Sequence, residues 1–139
     1  MRPHSFLLLV LICFVAMSCL SEEKFPPNVT GTWAAVSLET FNMDKDGWIY
    51  NETYQTFWED EKILILYSDN TWREIRETAS YSGTWELHYV SSSVYDWRLV
   101  LKQNVASKYF WINRIDRNEL VLEEVNNSFH SITTYVAVK

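Results

Sequence analysis

From residue 26 onward the apolar positions recur every second residue, which is the period of a half-buried strand and not of a helix. Runs of this kind cover residues 30–41, 62–67, 71–78, 81–90, 97–103, 107–115, 119–125 and 130–138. Between them stand Asp69-Asn70, Asp116-Arg117-Asn118 and Asn126-Asn127-Ser128. These side chains bond their own backbone or tolerate a left-handed conformation, as tight turns require. Ile63, Ile65 and Tyr67 share one phase, as do Trp85, Leu87 and Tyr89, Leu99 and Leu101, Leu120 and Leu122, and Val136 and Val138. Each set is expected to face the interior. The pattern predicts an all-β fold, a small antiparallel up-and-down meander of about eight strands. Such a meander best hides its edges by closing into a barrel, last strand against first. Residues 42–60 stand apart and predict either a ninth strand over residues 48–57 or a long aromatic flap.

Composition narrows the class. At 139 residues the chain is one domain, and 47% hydrophobic with 22% charged residues is a globular balance. Aromatic residues make up 16% of the chain against only three Gly and three Pro, so a core or a binding surface has to accommodate them. A net charge of −6 repels polyanions, and no nucleic-acid partner is expected.

The N-terminus reads as an address. Arg2 precedes an apolar stretch from Phe6 to Met17, too short for the ~20 residues that span a bilayer and followed at once by Ser21, Glu22, Glu23 and Lys24. This predicts a signal peptide. The two cysteines are Cys13 within the stretch and Cys19 at its end, so the domain beyond has no internal disulfide. Ala16-Met17-Ser18-Cys19 resembles the bacterial lipobox, which implies cleavage before Cys19 and a lipid on its sulfur. An ordinary secretory cut, with Cys19 discarded or left as a free thiol, is the alternative. The expected organisation is a lipoprotein signal peptide over 1–18, a tether over 19–27 and a barrel over 28–139. Losing Arg2 makes the mature chain one unit more acidic, so membrane attachment would rest on the lipid. Leu20-Ser21-Glu22-Glu23 resembles the short acidic tag of surface-exported lipoproteins, which implies an outer-membrane location, at the cell surface where that tag is read; an acidic run so short is more often a solvated linker.

One motif recurs, Gly31-Thr32-Trp33 and Gly83-Thr84-Trp85, each at the start of a strand run. Gly-x-Trp opening the first strand resembles the lipocalin hallmark, in which the Trp closes the barrel floor. Together with a terminal Tyr135-to-Lys139 strand, the pair is similar to the lipocalin-like domain of small bacterial lipoproteins. The sequence lacks the Thr-Asp-Tyr motif and disulfides of true lipocalins.

Candidate chemistry is sparse. Asn42, Asp44, Asp46 and Gly47 match an EF-hand-type loop at positions one, three, five and six, but Thr53 stands where a bidentate carboxylate would close it. An acidic turn is the better account, and no metal or cofactor is expected. His88 and His130 lack a cysteine partner in the domain and no Gly-x-Ser-x-Gly elbow occurs, so no catalytic residue is assigned and the chain is read as a non-enzyme. Arg73 and Arg76, near Trp72 and Tyr81, suit cation–π or carboxylate contacts at a barrel mouth, but surface arginines beside Trp on an outward phase are the commoner meaning.

Two functions fit. One is an envelope lipoprotein acting as a non-catalytic interaction module for a protein or envelope partner, through Trp48, Tyr50, Tyr54, Phe57 and Trp58. The other is a barrel that carries one small hydrophobic, lipid-like ligand among Trp33, Trp85, Leu87, Tyr89, Leu101 and Trp111. Short strands with a Trp- and Tyr-rich inward phase predict an interior filled by side chains, which favours the first; an apolar void of at least ~300 Å3 would favour the second.

Overall fold

The computed structural model describes residues 25–91 and 94–139, and every regular element in them is a strand. In chain order these are β1 (Gly31–Met43), β2 (Ile49–Thr56), β3 (Lys62–Leu66), β4 (Thr71–Arg76), β5 (Ser80–Tyr89), β6 (Trp97–Gln103), β7 (Ala106–Ile115), β8 (Glu119–Val125) and β9 (Phe129–Ala137). Each expected strand lies within two residues of an observed one at both ends, and residues 42–60 contain the ninth strand. The signal peptide and Cys19 fall outside the described residues.

Neighbours pair antiparallel from β3 through β9, and β9 returns to β1, so eight strands close into a barrel. The long β1 keeps β9 along one edge and divides its other edge between two partners: Gly31 to Ala34 face β3, whereas Ser37 to Met43 face β2. β2 and β3 are thus two halves of one partner, interrupted by residues 57–61. The interruption sits beside a bulge between Ala35 and Ser37 of β1, where Phe57 N donates to Val36 O at 3.1 Å. β2 has no second strand neighbour and stands as a wing at a free edge of the sheet, while the β1 residues it pairs with remain in the barrel wall beside β9.

The register corrects two of the expected interior phases. On β3 the buried residues are Leu64 and Leu66, each 1% exposed, and Tyr67 lies outside. On β9 they are Thr133 and Tyr135, while Val136 and Val138 are exposed. Both faces of β3 are apolar, so alternation alone could not choose between them. On β9 the outward phase is the more apolar, and what fixes the inward one is pairing: Leu120 faces Tyr135 and Leu122 faces Thr133.

One end of the barrel is closed. Val29, Trp33, Leu66, Trp85, Leu99 and Leu120 are buried there. Trp33 Nε1 donates to Val29 O and Trp85 Nε1 to Tyr67 O, each at 3.0 Å, so both Gly-Thr-Trp tryptophans bury their rings with the indole N–H satisfied. A third indole, Trp72, donates to Lys102 O at 3.2 Å. That contact depends on Gly83, where a Cβ would lie 1.8 Å from Lys102 O and 2.9 Å from Trp72 Nε1.

Candidate functional site: the barrel mouth

The opposite end carries the hairpin turns of β1–β2, β4–β5, β6–β7 and β8–β9, and it is hollow. A cavity of about 470 Å3 runs down from these turns to an apolar floor of Leu64, Trp72, Leu101, Phe110, Leu122 and Tyr135. The expectation of a filled interior is corrected. Of the seven tryptophans only Trp72 lines this space; Trp33 and Trp85 are spent on the floor below, Trp97 packs against the core, and Trp48, Trp58 and Trp111 lie outside it.

Along each wall the inward phase changes from apolar to polar on the way out. Leu66 and Leu64 lead to Lys62, Trp72 leads to Glu74 and Arg76, Leu122 leads to Glu124, and Tyr135 leads to Thr133 and Ser131. Glu74 is the hub. Arg76 Nε donates to its Oε1 at 2.6 Å, while Lys62 Nζ is 3.9 Å from its Oε2. The Arg76 guanidinium also stacks 5.5 Å over Tyr81 at the mouth, against the favoured expectation of a surface arginine, whereas Arg73 is exposed as that expectation has it. Lys62 is mostly enclosed, with Nζ 5.8 Å from the ring centres of both Phe57 and Tyr135. Burial pulls its amine below the ordinary 10.5, against the opposing charge of Glu74. Burial likewise pushes the Tyr135 phenol up, so its hydroxyl stays protonated through the neutral range. A shallower cleft of about 330 Å3 between β2 and β4 shares Leu38, Lys62 and Arg76 with the cavity.

Of the residues expected to line the interior, Leu101 does so. Trp33 and Trp85 belong to the closed end, and Leu87 packs against that core. Tyr89 is 49% exposed and tilts against Trp97 at 5.4 Å. Trp111 faces outward, with the Arg98 guanidinium 5.5 Å from its ring. On the wing, Trp48, Tyr50, Tyr54 and Trp58 are 65–85% exposed, whereas Phe57 is half-buried against the core. Lys62, Glu74, Lys108, Phe110, Glu124 and Tyr135 were not foreseen; their signal is the i, i+2 relation to the buried leucines and tryptophans, usable only once register is known.

Two further groups resolve. The acidic loop is a hairpin turn: Asp44 Oδ1 accepts from the amides of Asp46 and Trp48 at 2.9 Å, and Gly47 takes φ 83°. On the outer wall, Glu123 is buried beside Tyr95, Asn113 and His130. Burial alone would raise its carboxyl, but hydrogen bonds from Tyr95 and Asn113 and the charge of His130 hold it below the ordinary 4.5. The Tyr95 phenol is pushed up to about 12 by its hydrogen bond to Glu123, with burial and the Glu123 charge adding to it. His88 pairs with Glu86 on the surface at 2.9 Å. Compared with known proteins, the sequence matches no family model and no curated protein.

Proposed function

We propose that the chain is a non-catalytic binding barrel that holds one small molecule, apolar in its body, in the mouth cavity. The observation that carries this reading is the 470 Å3 space with its apolar floor and polar rim, a volume in the range of small-ligand sites. The twin Gly-Thr-Trp floor supports a lipocalin-like kinship, and the sequence around Cys19 supports attachment to a bacterial envelope, with the barrel held at a membrane that is a source of apolar ligands. Native mass spectrometry of the purified protein with decanol tests the binding reading. A one-to-one adduct is expected, and Leu101→Trp, which fills the cavity, abolishes it; an adduct that survives Leu101→Trp places the ligand elsewhere and removes the reading. For the anchor, Cys19→Ser releases the protein from membranes, and unchanged membrane association contradicts the lipoprotein assignment.

A second reading has its own observation. Trp48, Tyr50, Tyr54 and Trp58 expose aromatic surface on the wing and the loop behind it, a composition suited to a protein partner. Serine substitutions at Trp48 and Tyr54 weaken capture of such a partner while leaving decanol binding intact.

A further inference from the structure

The mouth cavity holds a cation without a close partner of its own. Lys62, Arg76 and Lys108 line it with Glu74 and Glu124, and Lys62 and Arg76 also border the adjoining cleft, where Glu61 and Glu77 stand. The cation in question is Lys62. Its nearest carboxylate, Glu74, is already engaged by Arg76 at 2.6 Å, and Lys62 stands off at 3.9 Å, the outer limit of an ion pair. The ammonium is also enclosed, its side chain 16% exposed and flanked by the rings of Phe57 and Tyr135. A desolvated cation sharing a carboxylate that has a better partner is unfavourable for folding, and an apolar side chain of the same length would fill the position at lower cost. Neutralising Glu74 does not require it, because Arg76 does that.

We infer that Lys62 is the anchor for the anionic head of the cavity's ligand, an amphipathic monoanion of the carboxylate type whose chain lies on the Leu64, Trp72 and Leu122 floor. One enclosed ammonium suits one carboxylate rather than a dianion. The head would stand where the inward phase turns polar, with Arg76 and Lys108 completing its surroundings, and a carboxylate is an acceptor-only group that matches three donors. Bringing it in supplies Lys62 with the partner that Glu74 gives only at a distance. The neutral and cationic analogues lack this gain, and the cationic one meets repulsion from Lys62.

This inference rests on the cavity-binding reading, and calorimetric titration of the purified protein at neutral pH and low salt with decanoic acid, decanol and decyltrimethylammonium separates the two. Decanoate is expected to bind about tenfold or more tighter than decanol, with the ammonium weakest. Lys62→Met removes the preference, so that decanoate and decanol bind that variant alike, whereas Lys62→Arg keeps it. Equal affinities for decanoate and decanol, or tightest binding of the ammonium, overturn the anionic-head assignment while leaving a binding cavity. A preference for decanoate that survives Lys62→Met overturns the role of Lys62. Absence of binding by all three overturns both readings.

Discussion

The two ends of the barrel are built from the same strands on the same inward phase, yet they solve opposite problems. At the closed end the phase reads Trp33, Leu66, Trp85, Leu99 and Leu120, all buried, with each indole N–H satisfied by a carbonyl. At the mouth it reads Lys62, Glu74, Arg76, Lys108 and Glu124 around a void. Stability and a site therefore divide along the length of each strand rather than between different elements. In a β-barrel this is natural, because moving two residues along a strand changes depth by about 7 Å without changing the face.

The closed end carries the larger share of stability, and its truncation tests the division most severely. Trp33→Ala removes a buried ring and leaves the Val29 carbonyl unpaired; we expect a loss of about 3–5 kcal/mol in denaturant unfolding. A loss under ~1 kcal/mol would place the core elsewhere. The outer wall comes next. Glu123 has a lowered pKa in the fold, so its contribution is full above 4.5 and is lost as pH falls through the folded value. Glu123→Gln is expected to cost about 1 kcal/mol at neutral pH and to lose that difference under acid.

At the mouth the sign reverses. Lys62 has its folded pKa below 10.5, so between the two values the unfolded chain binds more protons and stability rises with pH. Lys62→Met should therefore raise stability by about 1 kcal/mol at neutral pH and flatten that alkaline rise. A destabilised variant would make Lys62 a structural residue and erase the contrast between the ends. The smallest effects belong to the wing, where Trp48→Ser and Tyr54→Ser are expected to stay within ~0.5 kcal/mol of the parent, since both side chains project into solvent.

The sequence was legible where turn residues bracket an apolar run. Trp97 to Gln103 and Glu119 to Val125 match β6 and β8 end to end although each holds a Leu-Val-Leu run apolar on both faces, because Asp116-Arg117-Asn118 and Asn126-Asn127-Ser128 mark the limits of β8 and Asp96 and Asn104 those of β6. Gly-Thr-Trp marks the closed end through Trp33 and Trp85, which are buried there, while its glycines serve different needs: Gly83 lets Lys102 and Trp72 approach, and Gly31 takes φ 146°. The mouth was not legible for three physical reasons. Ile63 and Ile65 are as apolar as Leu64 and Leu66, so the phase of β3 was ambiguous. Bulges in β1 and β7 shift the inward phase partway along each strand, so Trp111 could not be placed by counting. The mouth also puts polar residues inside, and inward Lys62, Glu74 and Ser131 look from sequence like solvent-facing positions. The clustered aromatics of residues 42–60 were visible as a group but not as a wing, because only pairing shows that β2 runs out past β3.

The central claim is that ligand enters the mouth cavity over Trp72 and does not rest on the aromatic wing. Quenching of tryptophan fluorescence by a bromine-bearing decanol tests it directly, since the heavy atom quenches only the rings it touches. The account predicts saturable quenching that Trp72→Phe abolishes and Trp48→Phe leaves in place. Quenching that persists in Trp72→Phe and disappears in Trp48→Phe would contradict it.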